Sequence, residues 1–235
     1  MLVKEIIYAA LDLAKAATSD DSFFTEEHVL FLLKKYRNFL IKKEHDKDKS
    51  SSDTPTEFEC TQQICLDLEE LQEIDGQPCT GRPYMKSVRQ VPRLLDGFQP
   101  KIYPANFYYG TNIAFVNRDR MRFVGTNKYL QNIIYVSYGP DQFLYLTSDN
   151  PQFTNLGKVK MSAVFEDFEE ALDYLCDDDA CPIICDVMDA EFPIKGDLVP
   201  PLLELVVKEL VGAEYRPQDP KNDAHDNLPQ MVSSK

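Results

Sequence analysis

The stretch IIYVSYGPDQFLYLT, Ile133–Thr147, decides the fold class. Two runs rich in Ile, Tyr, Val, Phe and Leu flank Gly139-Pro140-Asp141, residues that suit a tight turn. The segment predicts a β-hairpin around a proline-containing turn. Its β-branched and aromatic residues are those a pleated, half-buried surface prefers.

Upstream the same texture continues. Ile113–Val116 and Met121–Val124 flank Asn117-Arg118-Asp119-Arg120 and predict another hairpin. Residues 75–104 are rich in Pro and Gly, with Asp-Gly pairs at 75–76 and 96–97, so short strands fit and long helices do not. From residue 57 the apolar period is two: Phe58, Cys60, Ile64, Leu66 and Leu68, with a change of phase between Cys60 and Ile64. Downstream, Val159–Phe165 reads as a further strand.

Helical periodicity brackets this region. Val3, Ile6, Ile7, Ala10, Leu13, Ala14 and Ala17 repeat every three or four residues. A second helix begins at Thr25, whose hydroxyl can cap it, with Glu26 and Glu27 in the first turn and Phe24 and Val29 placed as a staple. Its face is Val29, Leu32, Leu33, Tyr36 and Leu40. Charged and serine-rich residues follow at 44–56. Helix returns at Glu166–Leu175 and from Pro200 to Gly212, with proline tolerated at the start and Gly212 placed to end it.

The predicted fold is therefore α+β. An N-terminal antiparallel helical hairpin spans 1–43 and a linker 44–56. A central antiparallel β-sandwich or barrel-like domain spans 57–165. Helical segments over 166–213 pack on that domain and on the hairpin, and an extended tail covers 214–235.

Composition narrows the function. The formal charge is −14, which gives no general attraction to DNA phosphates or anionic lipid. No apolar run approaches the ~20 residues of a membrane span, and Lys4, Glu5, Asp12 and Lys15 interrupt the N-terminal stretch that resembles a signal peptide. Six Cys in 235 residues do not make a disulfide scaffold, so reduced thiols are the expectation, in a cytosol-like compartment.

Catalytic patterns are weak. His28, His45 and His225 stand beside no Ser or Cys nucleophile in sequence, and no phosphate-cradling glycine loop occurs. Cys176, Cys181 and Cys185 lack the paired spacing of a zinc site, and Asp177, Asp178 and Asp179 lack the alternating ligand loop of a calcium site. The acidic, Cys-containing segment 166–191 leaves a soluble metal-dependent enzyme as the alternative reading.

Charge is segregated. Residues 82–128 hold nine basic against two acidic side chains, a net of +7, whereas 166–191 hold eleven acids and no base. Arg118, Arg120 and Arg122 sit at the expected hairpin tip, which reads as a solvated surface, as a phosphate contact, or as a contact with an acidic partner such as Asp177, Asp178 and Asp179 of another copy.

Several stretches carry a resemblance: DDSFFTEEHVLFLLKKYRNFLI (Asp20–Ile41), VFEDFEEAL (Val164–Leu172), CDVMDAEFPI (Cys185–Ile194), VPPLLELVVKELVGAEYRPQDP (Val199–Pro220) and NDAHDNL (Asn222–Leu228). Together they resemble a virion structural protein of crAss-like bacteriophages, of the type that forms rings at the head–tail junction. The likeness spans nearly the whole chain and is most specific over 159–228. It implies no enzyme activity and no cofactor. It implies a dodecameric adaptor or connector ring below the portal, around the channel through which genomic DNA passes unbound. Portal and neighbouring ring or tail proteins would be its partners, with no membrane involved. The protein would reside in the virion, after assembly in the host cytoplasm. An acidic lumen fits passing DNA. The tail has few apolar anchors, Tyr215, Leu228, Met231 and Val232, which are expected to seat on a neighbouring subunit because ordering costs roughly 1–2 kcal/mol per residue.

Overall fold

The structure is a computed structural model. It describes residues 1–18, 24–48, 57–71, 73–74, 77–78, 82–104, 113–121, 123–125, 127–130, 132–150, 153–174 and 186–214. In chain order the elements are helices α1 (Val3–Ala17), α2 (Glu26–Asp48) and α3 (Glu57–Cys60) and strands β1 (Gln62–Leu71), β2 (Glu73–Ile74), β3 (Gln77–Pro78), β4 (Tyr84–Ser87), β5 (Lys101–Pro104), β6 (Ile113–Phe115), β7 (Ile134–Tyr138), β8 (Leu144–Thr147) and β9 (Lys158–Ala163). Helices α4 (Phe168–Leu172) and α5 (Val199–Glu214) follow.

The architecture is α+β. The helical unit has a core of its own. On α1, Val3, Ile6, Ile7, Ala10, Leu11 and Ala14 are buried, while Leu13, an expected core position, is 50% exposed. On α2 the buried set is Val29, Leu32, Leu33, Arg37, Leu40 and Ile41. The Thr25 hydroxyl accepts from the His28 N–H at 3.3 Å, as a cap should. The two helices do not close on each other alone. Helix α5 packs against both, and its Leu202, Val206 and Leu210 complete the cluster. Full burial of each such side chain contributes about 1.5–3 kcal/mol, so the C-terminal helix is integral to the N-terminal pair.

Helix α2 runs through residues 44–48, which read as linker. These turns are polar but helix-compatible. His45 docks them by lying against the Phe98 ring, with centroids 4.2 Å apart. At the other end, α5 passes through Gly212 and continues to Glu214.

A second core lies inside a seven-stranded sheet of order β5-β9-β1-β4-β8-β7-β6. Ile64, Leu66, Ile134, Val136, Leu144, Leu146, Val159 and Met161 fill it from alternate positions. The sheet curls until its two outer strands, β5 and β6, approach one another. A cleft of about 220 Å³, lined by Pro100, Lys101, Ile102, Tyr103, Ile113 and Phe115, marks the seam of this nearly closed barrel. The β7–β8 hairpin forms with Tyr138 opposite Leu144. Ahead of the phase change expected before Ile64, residues Glu57–Cys60 form a helical turn, α3, rather than strand.

The hairpin expected at 113–124 does not form. Arg118–Arg120 are a 3-10 turn, and β6 pairs in parallel with β7, Ile113 opposite Ile134. Parallel neighbours need a crossover of a dozen or more residues, and residues 116–133 supply it.

Candidate inter-subunit surface

The crossover between β6 and β7 is pinned from below at several points. Met121 is buried, and the Val124 carbonyl accepts from Arg82 Nη1. Arg82 is itself held by Asp149, with Nε 2.9 Å from Oδ1. Gly125 has φ +76°, and a Cβ there would lie 3.2 Å from Arg82 Nη1 and 3.4 Å from Tyr135 Cε2. The backbone conformation favours glycine here, and a Cβ would also press on Arg82 and Tyr135. Further along, the Leu130 carbonyl accepts from Ile133 N–H at 3.2 Å, and Ser148 Oγ donates to the Ile133 carbonyl at 2.9 Å.

The side chains on the far side of this framework face water. Phe123 is 76% and Tyr129 91% exposed, with Leu130 beside them at 41%. Arg120 is exposed as well. Arg118 is turned aside: its Nη1 lies 3.6 Å from Asp141 Oδ1, and its guanidinium stacks 4.7 Å over the Tyr145 ring. The Tyr145 hydroxyl donates to the same carboxylate, and burial together with that bond pushes its pKa up. Arg118 therefore braces the crossover against the β7–β8 turn, and Arg120 is the arginine presented outward. Arg122 lies outside the described residues.

The acidic segment is less available than its composition suggested. Glu166 pairs with Arg93 at 3.8 Å. Asp167 caps α4 by accepting from Glu169 N–H at 3.0 Å, and it shares Lys34 with Glu169 at 3.0 and 2.8 Å. Asp186 caps a 3-10 turn through Met188 N–H, and Asp189 pairs with Lys4 at 2.6 Å. Through Lys34 of α2 and Lys4 of α1 the carboxylates at α4 and at Asp189 are fastened to the helical unit. Glu170 and Asp173 of α4 stay exposed. Asp177, Asp178, Asp179, Cys176, Cys181, Cys185, Tyr215, Leu228, Met231 and Val232 all lie outside the described residues.

The thiols divide. Cys60 is free and buried, and burial pushes its pKa up. Cys65 is disulfide-bonded, against the expectation of reduced thiols throughout. It alternates with buried Ile64 and Leu66, so its side chain stands on the outer face of β1. Its N–H donates to the Tyr174 carbonyl at 2.8 Å, which brings the chain leaving α4 alongside.

Among the described residues no group of three or more His, Cys, Asp or Glu is arranged to hold a metal ion. No described helix is long and apolar enough to cross a membrane. Neither Phe123 nor Tyr129 was an expected site residue. The clue was Gly125-Thr126-Asn127, a turn-forming triplet between two aromatics, obscured by reading Met121–Val124 as strand.

Two comparisons with known proteins bear on the chain as a whole. The family model described as phage tail ring protein 2 matches residues 5–228. Ring protein 2 of Bacteroides phage crAss001 is 49% identical over 230 residues, covering 97% of this chain and 99% of that protein.

Proposed function

Because the chain belongs to the phage tail ring protein 2 family, we propose that it assembles into a homo-oligomeric ring at the head–tail junction. There it acts as an adaptor or connector, docked on the portal or an adjacent ring around the DNA exit channel. The observation that carries this reading is the near full-length likeness to a ring protein of another phage. Twelve copies would match a dodecameric stack. The role is structural and needs no cofactor.

Electrostatics supports the placement. A chain of net charge −14 has little affinity for DNA, so a wall built from it lets the genome slide past without specific binding. The same charge makes copies repel, so their contacts must set basic against acidic surface. Arg120 and Arg122 of the basic crossover are proposed for one half, with Arg118 bracing them through Asp141 of its own chain. Asp177, Asp178 and Asp179 are proposed for the other, and the tail anchors Tyr215, Leu228, Met231 and Val232 to lie against a neighbour. The protein would be a virion component, assembled in the host cytoplasm.

Cryo-electron microscopy of purified particles tests the reading, together with proteomics of the same preparation. The expected result is a ring of density at the head–tail junction into which the barrel and three-helix unit fit. Particles that lack the chain, or that place it away from any ring, would sink the proposal. Truncation after Glu214 should leave the monomer folded, because the described cores end with α5, and should lower incorporation into particles.

A further inference from the structure

We propose that the crossover between β6 and β7 is the knob of a head-to-tail contact. Its exposed tip, Phe123 and Tyr129 with Arg120 beside them, seats on the Glu170 and Asp173 surface of α4 in a second copy of this chain. The inference rests on the ring reading and names the surfaces through which the ring closes.

The tip is presented rather than left over. Two aromatic side chains, 76% and 91% exposed, stand on a loop held by Met121, by the Arg82–Val124 bond and by a glycine at positive φ. Holding large aromatics in water on a fixed support has a cost that an interface would recover, and Tyr and Arg are enriched among residues that dominate interfaces. A pre-ordered tip also loses less entropy on docking.

Charge selects the occupant. Residues 82–128 carry +7 within a chain of −14, so the rest of each copy carries −21. At and just before α4, Glu166 pairs with Arg93, while Asp167 and Glu169 share Lys34. Glu170 and Asp173 are exposed, and no described cation pairs with them. Glu170 on α4 and Asp173 just after it are left to receive a cation from outside.

Topology makes the contact one between copies. The tip hangs from β6 and β7, whereas α4 lies against β1. Strands β4 and β8 separate β1 from β7 on one side, and β9 and β5 separate β1 from the seam with β6 on the other. Helix α4 packs on β1, and the crossover turns at Arg118–Arg120 and Lys128–Leu130 are not among the elements that pack on it. A contact between two different patches of identical copies is heterologous, and it closes into a ring when the rotation allows.

The test uses the full-length chain in assembled particles, with photoreactive benzoylphenylalanine replacing Tyr129. That side chain is so exposed that the monomer should melt like wild type, which is checked first. Irradiation is expected to yield a covalent dimer of the chain, with the adduct mapping to the peptide containing Glu170 and Asp173. The double substitution Glu170→Lys and Asp173→Lys should remove most of that dimer. Adducts confined to a different protein, or none in particles that display the ring, would overturn this contact and leave the ring reading standing. Particles without any ring would overturn both.

Discussion

Arg37 Nη1 donates to the carbonyl oxygen of Phe165 at 2.9 Å, across the joint between the helical unit and the barrel. The Arg37 side chain is fully buried. Its Nε donates to the Pro193 carbonyl at 2.8 Å and its Nη1 also to Asn38 Oδ1 at 3.0 Å. Burial lowers its pKa to about 10, and no described carboxylate pairs with it. One guanidinium thus ties α2 to the end of the β9 segment and to the chain that leads into α5.

Replacing Arg37 by Ala should destabilise the protein by about 3 kcal/mol, since two buried carbonyls lose their donor and a cavity remains. Lysine cannot reproduce the planar fork and should still cost about 2 kcal/mol. Urea unfolding followed by circular dichroism reads both values. A change below about 1 kcal/mol for Arg37→Ala would show that the joint is held elsewhere.

Phe168 is fully buried in the helical core and meets Phe192 edge-on, with ring centroids 5.1 Å apart. Phe168→Ala is expected to cost about 3–5 kcal/mol through lost burial and the cavity it leaves. Phe168→Leu should keep most of the volume and cost appreciably less. Thermal denaturation of the two variants side by side checks the order.

Gly139 sits where a Cβ would come 2.2 Å from Asp141 Oδ1, 2.6 Å from Arg118 Nη1 and 2.8 Å from Tyr145 Cε2. Gly139→Ala should therefore push the Arg118–Asp141 pair apart, at about 1–3 kcal/mol. Hydrogen exchange should show faster amide exchange in the turn at 139–143 and at 118–121. Unchanged protection there would mean the brace does not hold the crossover.

The Tyr36 hydroxyl and the Lys35 ammonium hydrogen-bond to Glu209 and hold its carboxyl below the usual range. Because the folded pKa is the lower one, this contribution is complete above the unfolded value of about 4.3 and disappears as pH falls through the folded value. Glu209→Gln should lower the urea midpoint slightly at pH 7, since exposed pairs are weak. That deficit should vanish on acidification below pH ~4. A deficit independent of pH would assign the effect to packing instead.

Much of the fold was legible because its signals are local. The caps, the apolar stripes of α1 and α2 and the β7–β8 turn are each written within a few residues. The candidate surface was half legible. Basic charge pointed to 118–122, but the aromatics at 123 and 129 were hidden by a strand expectation that Met121 and Val124 seemed to satisfy. Burial of one of those residues and a turn at the next broke the alternation.

By itself the sequence determined the class of the protein: helices at both ends, a β-rich middle, an acidic balance and a likeness that runs almost the length of the chain. Tertiary structure alone decided that β6 lies parallel to β7, that α5 completes the N-terminal helical core, that Arg37 is buried, and that Asp167 and Glu169 share Lys34. Periodicity and capping are set by neighbours within a turn or a pleat. Strand partners, buried charges and ion pairs depend on which distant segment arrives, and no local pattern records that.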